Sequence, residues 1–260
     1  MGQTEPPLPA AERELVDAVL AAAGIDSRPY RTAPLRRRLP ALLRALRAPD
    51  PATALQHLRA DPRLTARGLD TLLIGHTEAF RDREAFAALR ERVLPELATP
   101  GRSLRIWSVA CSTGVELLSV AALRAERGLA ATCVLRGSDC RASALSAARR
   151  HAADPLAALA DRSAPASASA ASELRAAAAR ISWHVEDALT APVEAPWDLI
   201  LCRNLAIYLD APSAERLWER LTGALAPRGV LMIGKAERPG VGLPLVHLAK
   251  CIYRREGARA

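Results

Sequence analysis

The feature that most constrains this chain is a change of pattern at Ser103. From there onward, short apolar runs rich in β-forming residues alternate with helical stretches rich in alanine and leucine. The runs predicted as strands are Leu104–Val109, Ala131–Ser138, Ile181–Val185, Asp198–Cys202 and Val230–Ile233. A last, edge strand is predicted from Cys251 to Arg254. Because strands that alternate with helices form βαβ units, the pattern predicts a doubly wound α/β domain with a parallel sheet over residues 103–260.

The residues before this domain are predicted to be helical. A flexible tail over 1–8 precedes a small all-helical N-terminal domain over 9–75, and a linker with a helix follows over 76–102. Helical spacing of apolar residues indicates helices over Pro9–Gly24, Pro34–Ala48, 51–60 and 65–74. Pro40 is expected to kink or split the second of these helices. Within the α/β domain, the Ala/Ser/Pro-rich stretch 154–172 is predicted to be a flexible insert.

The positive charge narrows the classes of partner. The net charge is +8, and the segment from Arg28 to Arg47 holds seven arginines and no acidic residue. Such a surface favours nucleic acid, an anionic membrane or an acidic protein helix, although a general preference for arginine over lysine produces the same surplus.

Cysteine and histidine usage gives no sign of a metal site. The five cysteines form no Cys-x-x-Cys pair, and the five histidines are scattered. A reducing compartment is therefore expected. No apolar run reaches the ~20 residues of a membrane span, and the N-terminus is unlike a secretory signal. The sequence predicts a cytoplasmic protein without membrane insertion.

Two predicted strand ends carry residues suited to a ligand. Small residues from Ala110 to Gly114 follow the first strand, where a ligand can approach the backbone and the free N–H groups that begin the next helix. Asp139 ends the second strand 25 residues after Gly114, where an acid can accept both hydroxyls of a ribose. A tight turn alone gives the same pattern. Further on, the strand ending at Cys202 continues into polar residues that act either as caps or as a site.

The order and spacing of four sequence blocks resemble one family. The blocks are Thr77-x-x-Phe80-Arg81-Asp82, Trp107-Ser…Cys111-Ser-Thr-Gly114-x-Glu116-x-x-Ser119, Ser138-Asp139 and Cys202-Arg-Asn204-x-x-Ile207-Tyr208. From about Glu12 to Arg254 the chain resembles the CheR family of chemotaxis-receptor glutamate methyltransferases. The resemblance implies a Rossmann-like methyltransferase domain behind a small helical domain. It also implies transfer of a methyl group from S-adenosylmethionine to receptor glutamates, with S-adenosylhomocysteine as product.

The resemblance also implies which residues form the site. The expected cofactor-binding residues are Thr77, Arg81, Ala110, Gly114, Glu116, Asp139, Asp187, Ala188, Asn204 and Leu205. Asp139 would bind the ribose, and Asp187 would border the adenine. Arg81 and Tyr208 would lie near the transferred methyl as catalytic residues. A carboxylate is already a nucleophile at neutral pH, so positioning and desolvation suffice without a general base. Arg81 would orient the substrate carboxylate or, alternatively, form a structural salt bridge.

The sequence departs from the family's pattern at three places that bear on function. Val115 stands where the family has a glutamate directed at the methionine amino group, and Gly75 stands where it has an asparagine. The stretch 154–172 replaces a small β-subdomain that some members use to dock on a receptor tail. The basic helix Arg36–Arg47 is retained in type and would meet the acidic helical region of a receptor.

Three hypotheses follow. The first is an active protein-glutamate O-methyltransferase acting on a chemoreceptor-like signalling protein. The second is a catalytically weakened or inactive domain that binds the cofactor or acts as a scaffold in a signalling system. The third is a methyltransferase for another acidic partner such as RNA. The third is disfavoured because Tyr30 is the only aromatic residue in the basic segment.

Overall fold

The computed structural model describes residues 6–73, 75, 77–98, 102–129, 133–160, 167–194 and 196–257. The chain divides into two compact units, Met1–Gly75 with Tyr208–Ser213, and His76–Ile207 with Ala214–Ala260. The segment Tyr208–Ser213 is part of the first unit because its backbone pairs with residues of that unit. Tyr30 forms an antiparallel bridge with Leu209, and the Arg31 N–H donates to the Tyr208 carbonyl at 2.9 Å.

The first unit contains four helices within the described residues, and their bounds are α1 Ala10–Ala21, α2 Thr32–Ala45, α3 Pro51–Ala60 and α4 Leu64–Leu72. The N-terminus of α3 shows how sequence sets a boundary, since the Asp50 carboxylate accepts from the Thr53 N–H at 2.8 Å and Pro51 needs no partner for an N–H. Helix α2 runs through Pro40 and is not split.

Residues 6–8 are held against this helical unit. Leu8 is buried, and the Arg36 guanidinium donates to the carbonyls of Pro6 and Pro7 at 3.0 and 2.8 Å. The structure therefore differs from the flexible tail expected over 1–8 as far as residues 6–8 are concerned. Residues 1–5 of that prediction lie outside the described residues.

The second unit is built on a seven-stranded sheet. Its strands are β1 Leu104–Val109, β2 Cys133–Asp139, β3 Ser182–Val185, β4 Trp197–Cys202, β5 Leu225–Ile233, β6 Leu245–Ala249 and β7 Ile252–Arg255. The strand order is β3-β2-β1-β4-β5-β7-β6. The first five strands are parallel, while β7 is antiparallel to both β5 and β6. The predicted doubly wound α/β fold behind a small helical unit is confirmed.

The prediction that the last strand lies at the edge is wrong. Strand β7 pairs with β5 on one side and with β6 on the other, so β6 forms the edge. Strand β6 is short and mostly half-exposed, and it lacks the continuous apolar run that marks the inner strands. An exposed edge strand leaves a weak sequence signal because few of its side chains are buried, so it does not need to be apolar throughout.

The remaining helices lie in the linker before β1 and between the strands of the sheet. Their bounds are α5 Arg83–Ala88, a π-helical turn Leu89–Val93, α6 Leu94–Leu97, α7 Val115–Ala125, α8 Ala142–Ala153, α9 Pro155–Leu159, α10 Ala168–Ala178 and α11 Ala211–Ala224. None of the helices in the described parts of the chain is both long and apolar enough to cross a bilayer.

The prediction of a flexible insert over 154–172 is wrong where the structure describes it. Residues 155–159 form α9 and residues from 168 onward form α10. The Asp154 carboxylate caps the first helix by accepting from Ala157, and the Ser167 hydroxyl caps the second by accepting from Ala170. Alanine is the best helix former, so this composition favours helix once both starts are capped. Residues 161–166 lie outside the described residues.

The central strands bring three predicted site segments to one edge of the sheet. Val109, the last residue of β1, pairs with Ser138 on one side and Cys202 on the other. Asp139 and Arg203 therefore leave the sheet on either side of β1, about 10 Å apart by two strand spacings. The strand order reverses between β1 and β4, and ligands of open α/β sheets bind in the crevice at this point. We call this region the carboxyl edge.

Candidate functional site

Left-handed backbone conformations are concentrated at the carboxyl edge. The turn from β1 to α7 contains Ala110 and Ser112 with φ of 51° and 52°, and Asn204 follows β4 with φ of 62°. Two more such residues, Phe80 and Asp82, lie in the linker before α5. These five are more than half of the eight non-glycine residues with positive φ in the described chain. Strained conformations of this kind persist where the surroundings enforce them, and they cluster at ligand sites.

Asp139 is buried at the end of β2, and both oxygens of its carboxylate are engaged. Its Oδ2 accepts from the Ser112 N–H at 2.8 Å, and its Oδ1 accepts from the N–H and Nε of Arg141 at 3.0 and 3.1 Å. The Arg141 Nη2 donates to the Ser112 hydroxyl at 3.2 Å, which closes a ring of three residues. Arg141 is a member of this edge that was not predicted from the sequence. Its only signal was a cation two residues after the candidate ribose-binding acid.

Gly114 has a packing role in this structure. It has φ of +75°, and a Cβ built on it would lie 2.5 Å from the Trp183 ring. Gly137 on β2 faces the same ring more closely still. Trp183 also packs on Cys111, Leu145 and Ala148, so the glycines make room for an indole on the α8 side of the sheet. The approach of a cofactor to Gly114 stays a prediction.

Glu116 in the first turn of α7 is bound by two neighbours. Its Oε1 accepts from the Ser108 hydroxyl at 3.0 Å, and its Oε2 accepts from Arg203 Nη1 at 2.8 Å. The carboxylate is therefore engaged inside the protein.

Arg203 connects three segments of the carboxyl edge. Besides Glu116 it pairs with the Asp82 carboxylate and donates to the Arg81 carbonyl at 2.8 Å. Its guanidinium carbon lies 5.5 Å from the centre of the Phe86 ring. Burial lowers the pKa of Arg203, but the two carboxylates raise it more, so the net pKa is above its usual value. Arg203 was named from the sequence only as a polar residue at a strand end.

The linker that carries Arg81 is fixed to α7 at a second point. The Phe80 N–H donates to the Ser119 hydroxyl at 3.2 Å, and that hydroxyl donates to the Val115 carbonyl at 2.8 Å. The side chains of Thr77 and Arg81 are half-buried in this linker. The two contacts fix the backbone from which Arg81 projects.

Glu237 holds the loop after β4. Its carboxylate accepts from the N–H groups of Asn204 and Ala206, both at 2.8 Å, and of Gly234 at 2.7 Å. Burial raises the pKa of Glu237, and these backbone donors oppose the shift without cancelling it. A Cβ on Gly234 would lie 2.6 Å from Glu237 Oε2, which explains why a glycine stands there. The sequence shows an acid four residues after a buried strand, without indicating what it binds.

The other predicted site residues lie as follows. Asp187 follows β3, and its Oδ1 accepts from the Leu189 N–H at 3.0 Å. Ala188 and Leu205 are half-buried. Tyr208 ends the 3₁₀ turn Ala206–Tyr208 and belongs to the first unit. The structure thus brings Arg81, Ala110, Gly114, Glu116, Asp139 and Asn204 to the carboxyl edge or to the linker bound to it.

Cys111 and Cys202 lie at the same edge and are unreactive by environment. Both are buried, and desolvation raises the pKa of each thiol well above the usual range. They act as small buried residues of this edge.

Comparisons with known proteins give a consistent result. Residues 75–240 match the family described as CheR methyltransferase, SAM binding domain. Chemotaxis protein methyltransferase 1 of Pseudomonas aeruginosa is 32% identical over 190 residues, which are 65% of this chain and 68% of that protein. A probable chemotaxis protein methyltransferase of Rhizobium etli is also 32% identical, over 65% of this chain and 70% of its own length. Probable biofilm formation methyltransferase WspC of Pseudomonas putida is 30% identical over 65% of this chain and 43% of its own length.

Proposed function

Because the chain belongs to the CheR family of S-adenosylmethionine-dependent methyltransferases, we propose that it forms methyl esters on glutamate side chains of a chemoreceptor-like signalling protein. The names of its relatives support a signalling role, in chemotaxis for most and in biofilm formation for one. The hydrogen bonds and ion pairs among the residues of the carboxyl edge also support the proposal.

The observation that carries the proposal is the buried position of Arg203. Its guanidinium joins the linker at Arg81 and Asp82 to the first turn of α7 at Glu116. These residues come from three of the four sequence blocks that define the resemblance, and they lie far apart along the chain. This constellation connects the linker, the turn after β1 and the loop after β4 at the switch point of the sheet, where ligands of open α/β sheets bind.

The residues of this edge fit S-adenosylmethionine at its sugar end. Asp139 supplies a buried acidic acceptor at the end of β2, and its Oδ2 accepts only the Ser112 N–H among the described hydrogen bonds. At the amino-acid end, Glu116 is engaged by Arg203 and Val115 carries no charge. Asn204, held by Glu237, is the polar side chain that would face this end. Thr77, Asp187, Ala188 and Leu205 remain the proposed neighbours of the rest of the cofactor.

The bound cofactor supplies an activated methyl group, and the chain has to place a carboxylate in line with it. A glutamate has an unperturbed pKa of about 4.3, so it is ionised at neutral pH and no residue has to remove a proton. Arg81 would orient the substrate carboxylate through a bidentate pair. Its backbone is fixed by the Arg203 contact, so the side chain extends from a fixed point of the linker. Tyr208 is the second proposed catalytic group.

Helix α2 is the proposed docking surface for the substrate. Arg36 is engaged by the carbonyls of Pro6 and Pro7, whereas Arg37, Arg44 and Arg47 are exposed. Three exposed guanidinium groups on one short segment fit an acidic helical region of a receptor. The proposed compartment is the cytoplasm, where such receptor regions lie.

A second candidate function is a cofactor sensor or scaffold with weakened catalysis. It is favoured by the lack of a charge at Val115 together with the engagement of Glu116 by Arg203. An ammonium group that loses its carboxylate partner loses about 1.5–3 kcal/mol. This candidate predicts cofactor binding without turnover.

The test is transfer of tritium from labelled S-adenosylmethionine to a receptor's cytoplasmic helical fragment, measured as base-labile methyl ester. We expect transfer by the wild-type chain and loss of at least roughly a hundredfold with Arg81→Ala, because orientation is the main catalytic contribution. The matched control is Arg83→Ala, since Arg83 lies two residues further along and is exposed. Binding of S-adenosylhomocysteine without transfer to any receptor fragment would favour the sensor instead.

A further inference from the structure

We propose that Arg141 competes with the cofactor's ribose for the carboxylate of Asp139, so that the chain binds S-adenosylmethionine less tightly than Asp139 alone would allow. This inference rests on the proposed function, since it concerns how the same site takes its cofactor. It makes Arg141 an affinity-determining residue of the carboxyl edge.

The Asp139 carboxylate has a limited number of acceptor positions. A carboxylate offers about two acceptor positions on each oxygen. On Asp139, Oδ1 accepts two N–H groups of Arg141, from the backbone at 3.0 Å and from Nε at 3.1 Å. Oδ2 accepts the Ser112 N–H at 2.8 Å and keeps one position. A ribose diol that places one hydroxyl on each oxygen therefore meets a filled Oδ1.

The Arg141 side chain is the donor that can leave. The backbone N–H groups of Ser112 and Arg141 are fixed, because one belongs to the turn after β1 and the other to the residue that precedes α8. The guanidinium has only one further partner in the described part of the chain, the neutral Ser112 hydroxyl at 3.2 Å. Rotation of this side chain frees one acceptor position on Oδ1 and leaves the two backbone donors to support the charge of Asp139.

Displacement opposes cofactor binding because the departing contact is the stronger one. The Arg141–Asp139 hydrogen bond joins two charges, with the Arg141 and Asp139 side chains 10% and 5% exposed. Charge-assisted hydrogen bonds are roughly twice as strong as neutral ones. A ribose hydroxyl is neutral, so the free chain holds Asp139 closed until the cofactor's other contacts outweigh the difference.

The experiment is calorimetric titration of S-adenosylhomocysteine into wild type, Arg141→Met and the control Arg150→Met. Arg150 lies on α8 and is exposed, so its variant should bind as wild type does. For Arg141→Met we expect the Kd to fall about tenfold, because the competing charged contact is gone. The free variant should melt at a lower temperature, while the rise in Tm caused by the ligand should be larger than in wild type.

A purely structural role gives a different result. If Arg141 stays on Asp139 when the ligand binds, the Kd of Arg141→Met stays equal to that of wild type or becomes weaker, and either outcome overturns the inference. An analogue of S-adenosylhomocysteine without the two ribose hydroxyls should show no gain, and an equal gain with this analogue would also overturn it.

Two further arrangements keep the test decisive. Should Arg141→Met fail to fold, Arg141→Gln replaces it, with a smaller gain expected in the same direction because a neutral N–H remains. If wild type, Arg141→Met and Arg150→Met all fail to bind S-adenosylhomocysteine, the proposed function fails. If wild type binds and Arg141→Met shows no gain, only the role of Arg141 fails.

Discussion

Replacing Arg203 with methionine should destabilise the sheet-containing unit strongly. The Arg203 side chain is 3% exposed, and its partners Glu116 and Asp82 are 11% and 27% exposed. Without the guanidinium, Glu116 keeps only the Ser108 hydroxyl as a described partner. Removing one partner of a buried ion pair costs about 3–5 kcal/mol, because the remaining charge stays buried without compensation. We expect a loss of this size in the free energy of unfolding.

The assay is urea unfolding followed by tryptophan fluorescence, with two comparison variants. Lys250→Met breaks a pair with Glu84 in which the two side chains are 50% and 72% exposed, so we expect a far smaller loss of stability. The double variant Arg203→Met/Glu116→Met removes both charges of one pair and should recover part of the loss. The reasoning is refuted if Arg203→Met costs no more than Lys250→Met, or if the double variant is less stable than Arg203→Met.

Three further predictions concern neighbouring features. Gly114→Ala should lower the free energy of unfolding, measured by thermal unfolding, by about 1–3 kcal/mol because its backbone is left-handed, and by more because the new Cβ would lie 2.5 Å from the Trp183 ring. Adding Trp183→Leu should relieve only the contact with the ring. Full recovery of stability in that double variant would contradict the backbone argument. Glu237→Gln keeps the shape of the side chain but leaves only one oxygen as acceptor, so hydrogen exchange of the Asn204 and Ala206 amides should accelerate while the amides of α3 stay unchanged. Unchanged exchange at both loop positions would exclude Glu237 as the residue that holds them. Burial raises the pKa of the Cys140 thiol to about 12, against about 8.5 for a free thiol. The rate at which iodoacetamide alkylates Cys140 in the folded chain should therefore still rise about tenfold per pH unit between pH 8 and 10, where the rate in an unfolded chain levels off. Peptide mass spectrometry measures both rates, and a rate that levels off in the folded chain would contradict the shift.

The inner strands were predictable because their sequence signal is local. Strands β1 and β4 are mostly apolar and are buried on both faces, as parallel strands in an inner position are. The helix boundaries around α3 followed from an Asp-Pro start that is visible in the sequence. Strand β6 was missed because His247 interrupts its apolar residues and all five of its positions are half-exposed or exposed. Helices α9 and α10 were missed because alanine and serine at low complexity suggest a loop until the capping side chains are known.

The candidate site was predictable in its members but only partly in their partners. The sequence placed Asp139 and Asn204 at strand ends and Glu116 just after the turn that follows β1, and the parallel pairing on both sides of β1 brings these segments together. It could not indicate that Glu116 is bound by Arg203, 87 residues further along, or that the loop at Asn204 is held by Glu237, 33 residues away. Such pairs are set by tertiary packing, and a single sequence carries no trace of them.

Titration of S-adenosylhomocysteine into the wild-type chain and Asp139→Asn tests the central claim most directly. If the carboxyl edge holds the cofactor through the Asp139 carboxylate, the wild-type chain binds one equivalent and Asp139→Asn binds roughly tenfold or more weakly. Equal affinity in the two chains, or no binding by a wild-type chain that is folded, would contradict the assignment of this edge as the cofactor site.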